Sequence, residues 1–518
     1  MKCKEGTAVL IIRVGDAFCR DCFKEFFIHK FRAMLGKNRV IFPGERVLLA
    51  VSGGPASSCM LAQVQEGLGR DAAKKLRFTP AIVYIDEGGV CGQSAEEREK
   101  TVVQLENLFR MTGFPYHIVP LEEVFTLPES ILESVCSQEQ PCSSFSYKAA
   151  VDQHIRTEMS RGHGKSAVEQ SEEALSRLSL QTSTITPEHK LALEGLFSSL
   201  KTLTAKQDML HTLRQHLILH TARINSYSKV MMGDSCTRLA IKLLSNIALG
   251  RGAALAADTA FSDSRYGDVL MLRPMREYSS KEICFYNRLF KVPSVFIPGL
   301  DTKSSDTASI QRLTESFLVK LQADFPSTIS TVYRTSEKLH TACPSQSSSS
   351  FSSEGAVKCL LCFSALDIKA GSLNLSNATT VSIDEATAFH ATLVSEQLSQ
   401  RTPKEKGQTK TGCCQEQMCG DGGCCSKSRV PADTDLKSLL CYSCRLTVKD
   451  MRAELGNTRQ TPILSRKPFI NSCVCVLQTA PNFLPPYIIS EAEKRQRRAA
   501  MKAEISEFLL EDEEADDE

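Results

Sequence analysis

From Arg46 to Leu272 the chain alternates short apolar runs with stretches of helical periodicity. The runs are Val47–Val51, Ala81–Ile85, Tyr116–Val119, Val230–Met232 and Val269–Leu272. Each is too short for a helix and rich in branched or aromatic side chains, so they predict strands. Between them Leu61, Val64 and Leu68 fall on one helical face, as do Val102, Leu105 and Phe109. Alternating strand and helix is the pattern of a parallel sheet covered by helices on both faces. The predicted fold class is therefore α/β.

Ser160 to Pro187 is rich in Ser, Gln and Glu and has little apolar periodicity, which predicts an insertion ending in loops. A helical segment, Leu191–Ile224, follows, with Leu213, Leu217 and Ile224 as its apolar positions. Ser279 with Glu282 is a capping-box signal for a helix through Tyr286 and Leu289. Helices at Ile310–Ala323 and Thr328–His340 close this unit.

The pattern divides the chain into four parts: a Cys-containing basic module at 1–45, the α/β domain at 46–340, a Cys-pair module with a long polar insertion at 341–475, and a helix with an acidic tail at 476–518. A length of 518 residues fits two to four folded units at roughly 150 residues each. Hydrophobic residues at 42% and charged residues at 24% exclude wholesale disorder. A net charge of +2 is too small for a chain-wide field to attract a polyanion, so nucleic-acid affinity requires local basic patches. No apolar run approaches the ~18 residues of a membrane span. Thr7–Ile12, interrupted by Arg13, is too short for a secretory core. The expectation from these features is a cytosolic or nuclear protein with no membrane partner. In a reducing compartment its 21 cysteines stay thiols, which points to metal ligation over disulfides.

The strongest chemical signal follows the first strand: Ser52-Gly53-Gly54-Pro55-Ala56-Ser57-Ser58. Glycines let the backbone approach a phosphate, and a helix start supplies NH donors and the positive dipole end. Without Gly-Lys-Ser/Thr it is no Walker loop, and it is not G-x-G-x-x-G. An ordinary turn can carry the same residues. Its place at the C-terminal end of the first strand favours a ligand site, because that is where such sheets bind ligands.

Ser52-Gly53-Gly54-x-x-Ser57 resembles the PP-loop of ATP pyrophosphatases. With Cys19-x-x-Cys22 before it, and Met232-Gly233-Asp234-Ser235, Arg251-Gly252, Arg273-Pro274 and Lys281-Glu282-Ile283 with Tyr286 after it, the order is similar to that of the tRNA thiouridylase branch. The run from Phe31 to Arg39 extends the likeness to the cytoplasmic tRNA 2-thiolation protein 2 family, the second subunit of the cytosolic tRNA 2-thiouridylase. The resemblance covers most of residues 1–340. It implies an adenine nucleotide α-hydrolase-like fold and a role in replacing the wobble-uridine 2-oxygen by sulfur in cytosolic tRNAs for Lys, Glu and Gln. It also implies a heterodimer with a catalytic PP-loop subunit, with sulfur from a thiocarboxylated ubiquitin-related carrier and ATP activating the oxygen.

The chain departs from that pattern where magnesium would be held. Ala56 stands where a catalytic PP-loop has Asp, Pro55 lacks an NH, and Thr237 and Arg238 replace an acidic pair, with Arg238 bringing a positive charge toward the metal position. The resemblance therefore implies a degenerate subunit with no catalytic residue of its own, ATP and Mg being supplied mainly through the partner. Candidate nucleotide-binding positions are Ser52, Gly53, Gly54 and Ser57, with Gly233 and Asp234 at the second signature. Two other readings remain: an autonomous tRNA-adenylating sulfurtransferase, and a zinc-stapled RNA-binding scaffold without nucleotide chemistry.

Cys3, Cys19 and Cys22 have zinc-ribbon spacing with His29 as a candidate fourth ligand, against the alternative of three scattered thiols. Cys359-x-x-Cys362 and Cys441-x-x-Cys444 make a four-thiolate set across an inserted stretch, for which the resemblance implies zinc. Cys413, Cys414, Cys419, Cys424 and Cys425 within that stretch read as incidental, Cys136 and Cys142 as loop thiols, and Cys236 as a buried small residue. From Lys24 to Arg39 basic residues interleave with Phe23, Phe26, Phe27 and Phe31. Either Lys30, Arg32, Lys37 and Arg39 contact tRNA, or this is an amphipathic helix whose phenylalanines face the core. The basic run Arg495, Arg497 and Arg498 reads as a solvated helix face.

Overall fold

The computed structural model describes residues 6–12, 16–69, 75–133, 147–160, 186–336, 338–339, 358–366, 436–451 and 483–514. Cys3, Cys136, Cys142, Ser347–Ser350, the cysteines between 413 and 425, positions 161–185 of the insertion and the last four residues of the acidic tail lie outside them.

A two-residue ribbon, β1 (Leu10–Ile11) with β2 (Ala17–Phe18), leads into α1 (Arg20–Asn38). Then come β3 (Arg46–Ala50), α2 (Pro55–Leu68), β4 (Thr79–Asp86), α3 (Ala95–Arg110) and β5 (Tyr116–Pro120). Two short 3-10 turns are followed by α4 (Tyr147–Ser160), α5 (Pro187–Ser199) and α6 (Leu203–Ile224). The second half holds β6 (Lys229–Met232), α7 (Cys236–Ala248), α8 (Leu255–Thr259), β7 (Ser262–Asp263), β8 (Leu270–Leu272), α9 (Ser280–Phe290), α10 (Ile310–Asp324) and α11 (Thr328–Ser336). Beyond it lie α12 (Tyr442–Lys449) and α13 (Pro486–Glu514).

The sheet order is β5-β4-β3-β6-β8-β7, parallel except for the β7–β8 pair. Strand alternation sorts the side chains. Val47, Leu49 and Val51 enter one core with α1, α2, α3 and α9, while Leu48 enters the other with α5 and α6. The chain winds outward through β4 and β5 with helices on one face. It then returns through α6 on the other face to place β6 beside β3, the reversal that right-handed crossovers require. The point between β3 and β6 is a topological switch point, where strand C-termini open a crevice.

Several expectations are refined. The segment 191–224 is two helices broken at Leu200, and Ile224 is exposed at the end of α6. The small antiparallel β7 escaped notice because two residues carry no periodicity. Leu360, Leu361, Cys444, Tyr487 and Ile488 share one core with α6, and Phe23, Phe27 and Phe31 share the other with α2 and α9. The boundaries expected near 45 and 341 therefore do not separate independent cores. Among the described residues no helix is long and apolar enough to cross a membrane.

Candidate functional sites at the switch point and at a four-cysteine knuckle

β3 is buried on both faces and ends in a tight turn. Gly53 takes φ +76, a left-handed value, and its carbonyl accepts the NH of Val295 at 2.9 Å and the hydroxyl of Ser58 at 3.1 Å. Gly54 caps α2, and Pro55 fills the first helical position, where a missing NH costs least. Ser57 donates to the Gly54 carbonyl at 3.1 Å and lies 3.2 Å from the Ser52 hydroxyl. The second signature meets this turn from β6. A Cβ on Gly233 would stand 2.8 Å from Ser57 Cα, so the two loops touch backbone to backbone. Ser52, Gly53, Gly54, Ser57, Gly233 and Asp234 are thus brought together at the switch point.

Three acids around this crevice, Asp86, Glu87 and Asp234, are paired with arginines. Asp234 faces Arg273 at 3.4 Å, and the Arg273 side chain is buried. Sequence reasoning missed the neighbouring edge, where β4 runs on into Asp86-Glu87-Gly88-Gly89, a strand end with acids and glycines that the logic applied to β3 could have found. Asp86 accepts from Arg98 at 2.5 Å, and Arg98 also forms a two-pronged pair with Glu122 at 2.6 and 2.7 Å. Glu87 is bound by Arg214 of α6. The Cys91 thiol beyond it is pushed up to about 12 by burial and by the Glu87 carboxylate, so it stays protonated near neutrality.

The positions where an acidic pair was expected have other occupations. Thr237 is buried and accepts the NH of Ser280 at 3.1 Å, docking α9. Arg238 is exposed on the first turn of α7. Cys236 is buried, its NH bonded to the Tyr278 carbonyl at 2.8 Å. A magnesium site therefore has Ala56 at its usual acidic position, and Asp86, Glu87 and Asp234 each lie against an arginine. These residues do not fit the ion.

The C-terminal cysteines do assemble. The sulfurs of Cys359, Cys362, Cys441 and Cys444 all lie within 4.8 Å of one another, Cys362 and Cys441 being 3.6 Å apart. Four thiolates around one ion with metal–sulfur distances near 2.3 Å have edges of about 3.8 Å. The set fits a single tetrahedral metal ion. The NH of Cys441 donates to Cys359 Sγ at 3.3 Å, and Leu360 pairs with the Leu439 carbonyl, closing the two halves. Arg251, one of the positions that carry the family resemblance, lies beside this knuckle. It pairs with Asp208 at 3.0 Å and donates to Ser443, between two of the cysteines, at 2.9 Å. Buried His216 ties the same region to the Tyr487 hydroxyl and the Leu361 carbonyl at 2.6 and 2.8 Å. Asp208 and Arg214 lie on one helix about 9 Å apart along its axis, so knuckle and crevice are near neighbours.

At the N-terminus Cys19 caps α1, its sulfur accepting from the Cys22 NH at 3.4 Å. No group of three metal-ligating side chains forms around this pair among the described residues, so His29 does not complete the expected shell. His29 lines a surface cavity of about 450 Å³ together with Lys30, Lys37 and Glu282. On α1, Phe23, Phe27 and Phe31 are core residues, Phe27 lying 4.4 Å from Tyr278 and 4.1 Å from Tyr286 between ring centroids. The amphipathic-helix alternative therefore accounts for them. Lys30 is held by Glu282 at 2.9 Å with its side chain mostly buried, whereas Arg32 is half-buried and Lys37 and Arg39 are exposed. Arg495, expected in solvent, binds Glu491 and the carbonyls of Lys358 and Leu132, while Arg497 and Arg498 are exposed.

Residues 309–446 match the family profile "Cytoplasmic tRNA 2-thiolation protein 2". Proteins of that name from Danio rerio and Homo sapiens are 62% and 48% identical to the chain, over 99% and 100% of its length and 94% of theirs. A Xenopus laevis relative, "Cytoplasmic tRNA 2-thiolation protein 2-B", is 48% identical over 100% of this chain and 95% of its own. Among solved structures, a U34-tRNA thiolase from Methanococcus maripaludis with its 4Fe–4S cluster overlaps 65% of this chain and 87% of its own. That overlap has a TM-score of 0.42 and 12% identity. Full-length identity of this order, joined to the paired Cys knuckle that the family profile spans, means that the chain belongs to the cytoplasmic tRNA 2-thiolation protein 2 family.

Proposed function

We propose that this chain is the degenerate PP-loop subunit of a cytoplasmic complex that 2-thiolates the wobble uridine of tRNAs for Lys, Glu and Gln. Its role is in cytosolic tRNA 2-thiolation, as the family and its relatives' names state. It acts beside a catalytic PP-loop subunit in a heterodimer, with sulfur from a ubiquitin-related carrier, and ATP and Mg are engaged through that partner. Ser52, Gly53, Gly54, Ser57, Gly233 and Asp234 keep the form of a pyrophosphate cradle without its metal-holding acids. The observation that carries this reading is that Asp86, Glu87 and Asp234 each face an arginine at the crevice where Ala56 stands in place of an acid.

Zinc at Cys359, Cys362, Cys441 and Cys444 serves as a structural cross-link, since four thiolates leave no open coordination position. A second zinc is proposed at Cys3, Cys19 and Cys22. Arg32 and Lys37 on α1 and Arg39 at its C-terminal cap contact the tRNA backbone, and exposure favours Lys37 and Arg39 over Lys30. The test is tRNA-dependent release of AMP and pyrophosphate by the purified chain, alone and with the catalytic subunit. Release only with the partner is expected. Full turnover by the chain alone would refute the reading.

A further inference from the structure

We propose that Arg251 is the positioning residue of the four-cysteine knuckle, supplying the positive charge that lets the loaded site dock against the sheet domain. The inference rests on the reading above that the four sulfurs hold one divalent ion. Four thiolates around a divalent ion leave a net charge of −2, and Cys359 and Cys444 are buried. Burying an uncompensated charge is costly, so a cation facing the sulfurs is required.

Arg251 meets that need by its placement. It sits in the loop after α7, and its side chain is 13% exposed. Its Nε donates to the hydroxyl of Ser443, which lies in sequence between the ligands Cys441 and Cys444. From the other side Asp208 on α6 holds Nη2 at 3.0 Å, and Asp208 in turn accepts from Gln311 of α10 at 3.1 Å. The chain Gln311–Asp208–Arg251–Ser443 therefore joins α10, α6, the loop after α7 and α12. Other charges stand nearby but are directed elsewhere. Arg265 binds Asp258 and Asp263, and Lys242 lies 3.4 Å from Asp258. Arg445 belongs to the knuckle itself, its Nε donating to the Leu440 carbonyl, and so brings no charge across from the sheet domain.

Ligand-orienting neighbours typically change metal affinity by about 10- to 100-fold when removed. Arg251→Gln is therefore expected to release zinc to a chromogenic chelator at least about 10-fold faster than the parent chain, and to expose residues 436–451 to protease. Arg251→Lys should fall between. Asp208→Asn supplies the opposite sign: it frees the guanidinium from its other partner, so zinc release should be unchanged or slower. Two results would overturn the role of Arg251. One is equal zinc release from Arg251→Gln and the parent. The other is equal acceleration by Arg251→Gln and Asp208→Asn, which would mark a packing effect alone. A parent chain that binds no stoichiometric zinc at the C-terminal cysteines would overturn the underlying metal reading instead.

Discussion

Replacing Gly233 by Ala tests whether the two signature loops form one unit. An added Cβ would stand 2.8 Å from Ser57 Cα, 3.0 Å from Ser57 N and 3.2 Å from Ser57 Cβ. These are mostly backbone atoms at the start of α2, which a rotamer change cannot move. Reaching ordinary contact, near 3.4 Å, requires the β6 loop and the first turn of α2 to separate by about 0.6 Å. Overpacking of this kind costs about 1–3 kcal/mol. It also loosens the Ser52–Ser57 contact and the Asp234–Arg273 pair on the two sides of the crevice. The chain has no Trp, so far-UV circular dichroism during heating is the suitable probe. A lowered melting midpoint is expected, with greater protease sensitivity near positions 52–58. A Gly233→Ala protein that melts with the parent would refute the close approach of the two loops, and with it the shared crevice.

Gly36 provides the contrasting case. It lies within α1, nothing stands within 4 Å of a Cβ built on it, and Gly36→Ala should stabilise the chain by about 0.5–1 kcal/mol in the same melts. Phe27→Ala removes a fully buried ring stacked on Tyr286 and should cost about 3–5 kcal/mol, read by denaturant titration. If α1 instead presented that ring to RNA, stability would hold and tRNA binding alone would fall. Burial pushes Asp258 and Asp263 upward, but Arg265 and the cations around it outweigh burial and hold both carboxyls below the usual range. Because the folded values are depressed, this stability is present above the unfolded carboxylate pKa of about 3.9 and is lost progressively as pH falls from there through the depressed folded values. Melting curves at pH 6 and pH 3 should show a smaller acid loss for Asp258→Asn than for the parent. Equal losses would remove Asp258 from the account.

Short-range features were legible in the sequence because their causes lie within a few residues. The unbroken apolar run from Val47 to Val51 predicted a buried strand, and its side chains enter both cores, while the pair Ser279 and Glu282 forms the reciprocal cap expected of it. The Ser-Gly-Gly turn was readable for the same reason: a strand end, a left-handed glycine and a helix start follow one another directly. Which side chains are consumed as partners was decided only by the tertiary structure. Lys30 reads as a free cation on a basic helix until Glu282, 252 residues away, takes it. Arg251 reads as part of a loop pattern until Ser443, 192 residues on, accepts from it. The closure of Cys362 upon Cys441 spans 79 residues, and the spacing alone left it an inference. Periodicity and capping are set by backbone geometry over one or two turns. Charge pairing and metal-ligand assembly depend on which distant segments the sheet order brings side by side.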